Sequence, residues 1–238
     1  MGIQYSDVKY YRSVDVDFSD PTLNGGGIGE EIINDTLHSI FPEISATQRE
    51  NGVVLRAKMF VANESADRKM QDTIFYIKQE VQPEDYLTLY SSDGEDTHES
   101  DEDFDSKKKY KNSVIKSTVI EGITTVDIPI VDKEFYDTGD NVIILDEYFR
   151  ATYRGTIESV EDSASDSESA TITLSTAYTS TSTIPAMAGY LANGFMATLA
   201  PGENSPMWIE LTVVPTNAID AEIVNQFQIG VHFDDVAN

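Results

Sequence analysis

The chain reads as a mainly β protein: a β-sandwich built from its N- and C-terminal segments, a small β-barrel or sandwich inserted between them, and one short N-terminal helix. Three observations predict this. Runs near both ends alternate apolar and polar residues with period two; short β-branched runs bounded by turn residues recur through the middle; and the few strands at either end cannot bury a face without each other. On this reading residues 1–29 are an N-terminal arm and glycine hinge, 30–90 with 190–238 form a discontinuous sandwich, and 91–189 form an inserted module with acidic loops.

Residues 5–18 interleave β-branched and aromatic side chains, as in a strand or extended arm. Asn24, Gly25, Gly26, Gly27 and Gly29 give the backbone access to positive φ and read as a hinge. No Gly-Lys-Ser/Thr follows, so the glycines are not a phosphate loop. Ile32, Ile33, Leu37 and Ile40 recur near helical spacing and Pro42 ends the pattern, which predicts a short helix over 30–40.

The runs 52–62 and 73–78, separated by polar residues 63–67, read as strands with one wet face joined by a turn. Residues 86–90 resume the pattern briefly. From Ser91 to Asn112 the chain turns acidic, with only Phe104 and Tyr110 to bury, so a solvated loop is expected. The middle strands are expected over 114–119, 124–131, 139–145, 154–160 and 170–175, with a polar linker at 161–169. Residues 207–214 and 226–233 complete the strands; Phe227, Ile229, Val231 and Phe233 share one face of the last.

The chain has no cysteine, which removes disulfides, thiolate metal sites and cysteine nucleophiles together. His38, His98 and His232 lack ligand spacing. Asp101, Asp103 and Asp105 match the first alternating ligands of a calcium loop, but Ser106 stands where the glycine belongs and Asn112 where the bidentate glutamate belongs. Gly139-Asp140 reads as a turn entering a strand. Trp208 reads as a core anchor, with a sugar-stacking platform as its functional alternative. No catalytic, cofactor or metal residues are assigned.

With 42 acidic against 16 basic residues the net charge is −26, a field that repels phosphates. Specific nucleic-acid binding is not expected, and Lys107, Lys108 and Lys109 read as a charge-balanced loop. No apolar run is long enough to cross a bilayer as a helix and no secretory leader is evident, so a soluble chain made in the cytoplasm is expected. Residues 1–6 fit the loose N-myristoylation pattern, which is read as coincidence.

Lys9-Tyr-Tyr-Arg-Ser-Val14 followed by Asn24-Gly25-Gly26, Ile40-Phe-Pro-Glu-Ile44 with Arg49 and Gly52, Arg56-Ala-Lys-Met-Phe-Val-Ala-Asn63, Leu199-Ala-Pro-Gly-Glu203 and the Trp208 strand together resemble virion structural proteins of tailed bacteriophages. The resemblance spans roughly half the chain and is one of pattern and order. It implies a non-enzymatic part of the neck or tail, at the head-tail connection, built as a homo-oligomer with copies of itself and other virion proteins, and no membrane. An acidic lumen would let DNA pass without sticking. The alternative role is a capsid decoration, baseplate or host- or glycan-binding module. Expected assembly contacts are Tyr5, Tyr10, Tyr11, Val14, Phe18, Gly25, Gly26 and Gly27, and deletion of residues 1–22 is expected to stop assembly while leaving the fold intact.

Overall fold

The computed structural model describes residues 2–32, 40–79, 85–215 and 228–237. In chain order the strands are β1 (Val8–Asp15), β2 (Gly25–Glu31), β3 (Val53–Asn63), β4 (Arg68–Gln79), β5 (Tyr86–Ser91), β6 (Asn112–Val114), β7 (Thr125–Pro129), β8 (Asn141–Leu145), β9 (Ala151–Asp162), β10 (Ser169–Leu174), β11 (Tyr190–Leu199), β12 (Asn204–Val213) and β13 (Gln228–Ala237). The α-helix α1 (Ala46–Asn51) follows a capping box in which Ser45 and Gln48 satisfy each other's backbone donors.

The strands form two antiparallel sheets, ordered β2-β1-β3-β12-β5 and β13-β4-β11-β8-β9-β10-β7. Period-two alternation decides which side chains meet between them. Leu55, Ala57, Met59 and Val61 of β3 and Met207, Ile209, Leu211 and Val213 of β12 point inward against Phe75 and Ile77 of β4 and Phe195 and Leu199 of β11. Ile229, Val231 and Phe233 of β13 pack on the same core, as their alternation predicts. Each fully buried aliphatic or aromatic side chain stabilises the fold by about 1.5–3 kcal/mol, which sets this core far above any surface contact.

A second core lies within the middle of the chain, from Ile115 through Val126, Ile144, Ile157 and Ile172 to Leu191. Its strands curl into a small barrel. β6 pairs with β11, and just beyond β6 the Lys116 amide donates to the Asp127 carbonyl of β7 at 2.7 Å, which brings the two ends of the β11-β8-β9-β10-β7 series together. The two cores share β11, which pairs with β4 of the sandwich and with β8 of the barrel, so the two are joined through continuous hydrogen-bonded sheet.

The glycine segment corrects the sequence reading. Gly25–Glu31 is a strand paired with β1, not a hinge, and β1 in turn pairs with β3 from Val8↔Asn63 to Arg12↔Met59. Glu30 and Glu31 belong to that strand and not to the expected helix, whose remaining turns, with His38, lie mostly outside the described residues. The glycines are needed for close approach: a Cβ on Gly25 would stand 2.7 Å from the Thr97 carbonyl oxygen, and its φ is +131°.

Candidate functional site: the clamped acidic loop

A network of charged and aromatic side chains lies on the outer face of β3, β12 and β5. Residues one step out of phase with the inward set place Arg56, Lys58, Trp208, Glu210, Thr88 and Tyr90 there, with Trp208 between Lys58 and Tyr90 and Glu210 between Arg56 and Thr88. Central strands carrying charge need a cover. Residues 92–110 supply it.

Phe104 enters from the loop and meets Tyr90 and Trp208 edge-on, at centroid distances of 5.1 and 5.6 Å, while the Arg56 guanidinium lies 4.1 Å from its centroid. Beside it the Glu102 side chain is fully buried. Its carboxylate accepts from Trp208 Nε1 at 3.1 Å, Ser92 Oγ at 2.7 Å, Thr97 Oγ1 at 2.6 Å and the Asp93 amide at 3.1 Å, and pairs with Lys107 at 2.7 Å. Burial alone would push this carboxyl up, but Lys107 and the hydroxyl and indole donors outweigh it and hold it well below the usual carboxylate range.

Lys58 completes the clamp. Its ammonium donates to the carbonyls of Gly94 (2.7 Å), Glu95 (2.9 Å) and Thr97 (2.9 Å) and to Thr97 Oγ1 (3.0 Å), so one cation gathers the loop backbone around itself. Burial brings its pKa down to about 8, against the pull of Glu102, Asp96 and Glu95. Arg56 bridges Glu210 at 2.8 Å to Glu99 at 3.1 Å, and Tyr90 donates to Glu210 at 3.1 Å. The arrangement is closed and internally satisfied: it fixes a loop, and leaves Asp93, Glu95 and Asp105 facing solvent.

The expectation of a solvated loop over 91–112 is therefore corrected. Composition hid the outcome, because the burying partners Lys58, Trp208 and Tyr90 lie on three separate strands. Lys107 and Lys108 are charge-balanced as expected, Lys107 by Glu102 and Asp93 and Lys108 by Asp137 and Asp140. Asp101 is drawn into a short helical turn with His98, and among the described residues no group of three or more His, Cys, Asp or Glu is placed to hold a metal ion. Trp208 is fully buried, an anchor as expected and closed to sugars.

The expected assembly residues are spread along one edge of the sandwich. Tyr10 packs against the sandwich core, Tyr11 donates to Glu64, and Phe18 stands 6.1 Å from Phe41. Val14 is exposed, whereas Gly25 and Gly26 are buried and Gly27 is half-buried, with the Gly26 amide donating to Thr97. Tyr5 begins a short helical turn, Tyr5–Asp7. Gly139-Asp140 is a turn, as expected, and the Asp140 carboxylate accepts from the Asp137 amide and from Asn193 Nδ2 where the barrel meets the sandwich.

Fold and site together define an antiparallel β protein with two cores and a clamped acidic loop. No family model matches the chain, and no curated protein matches it. Among solved structures it is similar to the phage phi92 endosialidase, at 14% identity and a TM-score of 0.23, over 82% of this chain and 28% of that one. An overlap that loose carries neither fold nor function across.

Proposed function

We propose that the chain is a non-enzymatic virion structural protein of a tailed phage, made in the host cytoplasm and assembling as a homo-oligomer with other virion proteins in the neck or tail. In this reading residues 30–90 and 190–238 form the body of the subunit and 91–189 an inserted module. The observation that carries it is the closed clamp: Glu102, Lys107, Lys58 and Trp208 are all spent on holding an acidic loop to the sheet, an investment in a rigid anionic exterior and not in an open cleft. A rigid acidic wall suits a ring or tube along which DNA passes. The resemblance of the Lys9–Val14, Arg56–Asn63 and Leu199–Glu203 segments to tailed-phage structural proteins supports the same reading.

Electron microscopy of the purified protein tests it. Closed rings or stacked discs with the 92–110 loop lining the channel are expected; isolated single subunits at every concentration would overturn the proposal.

A further inference from the structure

Asparagine followed by glycine is the step at which a chain most readily loses a side-chain amide, because a glycine nitrogen, with no Cβ beside it, reaches the asparagine Cγ unhindered. The chain holds three such steps, Asn24-Gly25, Asn51-Gly52 and Asn193-Gly194. The fold treats them differently.

Two are locked. Asn24 and Asn193 are fully buried. Asn24 Nδ2 donates to the Arg56 carbonyl, and Asn193 Nδ2 donates to the Phe135 carbonyl and, at 3.2 Å, to the Asp140 carboxylate. The glycine after each has a strand or bridge partner on either side: Gly25 faces Asp15 and His98, and Gly194 faces Tyr76 and Asn141. Either glycine nitrogen can reach the preceding Cγ only if the sheet opens around it, and core strands open at a cost approaching that of global unfolding.

Asn51 escapes both constraints. It is the exposed last residue of α1, a helix of six residues whose end frays readily. Its Nδ2 donates at 2.9 Å to the Thr47 carbonyl one turn back, a bond open to solvent. Gly52 follows outside the helix at φ +75°. Fraying of the terminal residue is therefore enough to bring the Gly52 nitrogen onto Asn51 Cγ.

We infer that Asn51 is a site of spontaneous deamidation and that its products loosen the junction between α1 and β3. The Gly52 nitrogen attacks Asn51 Cγ; a C–N bond closes a five-membered imide as the Cγ–Nδ2 bond breaks, and ammonia leaves with the Gly52 amide proton. Water then opens the ring at one carbonyl to give aspartate, or at the other to give isoaspartate, whose main chain runs through the side chain and gains a methylene. Either product replaces the donor to the Thr47 carbonyl with a carboxylate at a helix C-terminus, where the dipole disfavours negative charge. Isoaspartate also lengthens the chain just ahead of Val53, which pairs with Val213. There is no slack at that point: a Cβ on Gly52 would stand 2.9 Å from Pro215 Cδ and 3.0 Å from the Val213 carbonyl oxygen.

Peptide mapping by mass spectrometry of the full chain, aged in mildly alkaline buffer with and without guanidinium chloride, tests the inference. In the folded protein residue 51 is expected to deamidate at least about tenfold faster than residues 24 and 193. In denaturant the three are expected to react at similar rates, since only the fold separates them. Equal rates at all three positions in the folded protein, or a residue 51 as slow as the buried pair, would overturn the assignment; a preference for residue 51 that persists in denaturant would overturn its structural cause. Asn51→Asp supplies the charge directly and is expected to melt below wild type, whereas Asn51→Gln keeps an amide that closes only a slower six-membered ring and is expected to age unchanged at this position. An aspartate variant that melts with wild type would overturn the loosening.

Discussion

Lys58 on β3 lies directly across from Trp208 on β12, and the two are buried together, with the ammonium 5.8 Å from the indole ring, under a loop that composition marks as solvent-loving. The pair explains why the loop is ordered. Lys58 neutralises the dipoles of three carbonyls that would otherwise point into the sheet, and Trp208 supplies both an apolar wall for Phe104 and a donor for Glu102.

Removing the carboxylate tests the clamp at its centre. Glu102→Ala leaves Lys107 and the Trp208 indole without their buried partner, and breaking a buried ion pair from one side costs about 3–5 kcal/mol. Urea denaturation should show a loss of that order, accompanied by new protease cleavage within residues 92–110. An unchanged midpoint with the loop still protected would contradict the clamp.

The aromatic wedge should matter through packing alone. Phe104→Ala empties the space between Tyr90 and Trp208 and is expected to cost about 3–5 kcal/mol, while Phe104→Leu should cost clearly less. Hydrogen exchange in the loop amides should rise in the order wild type, Leu, Ala.

Two groups in the clamp give pH signatures of the same sign in two separate windows, because folding lowers both pKa values. Glu102 titrates well below its ordinary 4.5 when folded, so its contribution is complete above that pH and is lost as pH falls towards the folded value. Lys58 releases its proton at about 8 when folded and at 10.5 when unfolded. Between those values the unfolded chain binds more protons, so this group makes stability rise with pH across the window. Stability measured from pH 8 to 10.5 should therefore show a rising component that Lys58→Met abolishes; an identical slope in the variant would contradict the assignment.

Glycine positions separate close approach from conformation. Gly25→Ala meets both a positive φ and the Thr97 carbonyl, whereas Gly122, at φ +90°, has open space around it. Gly122→Ala is expected to cost about 1 kcal/mol and Gly25→Ala clearly more, with loosening of the 92–110 loop that Gly25 abuts. Equal midpoints for the two variants in thermal melts would show that the close approach carries no weight.

Deleting residues 1–22 bears on the N-terminal arm. β1 supplies Val8 and Tyr10 to the sandwich core and stands between β2 and β3, so the deletion is expected to lower stability and not merely to remove an appendage. A truncated chain with an unchanged melting temperature would restore the view of a separable arm.

Much of the fold was legible because period two is a local signal. Met207 to Val213 and Ile229 to Phe233 declare their inward faces in sequence, and the turns at 63–67 and 139–140 declare themselves by composition. The glycine strand was not legible, since Gly26 carries no side chain to show a face and its pairing depends on β1 and on Thr97, which lies far along the chain. The clamp was not legible for a related reason. Lys58 looks like an ordinary wet-face residue of a strand, and only the register of β3 with β12 and β5 reveals that Glu102 and Phe104 must cover it. Its one faint signal was Phe104, an aromatic with no local reason to stand in an acidic run.

Light scattering over rising protein concentration gives the molar mass in solution and so distinguishes an assembling subunit from a free one. A discrete multiple of the 26.4 kDa subunit that persists when salt is raised is expected. A mass that stays at 26.4 kDa throughout would contradict it.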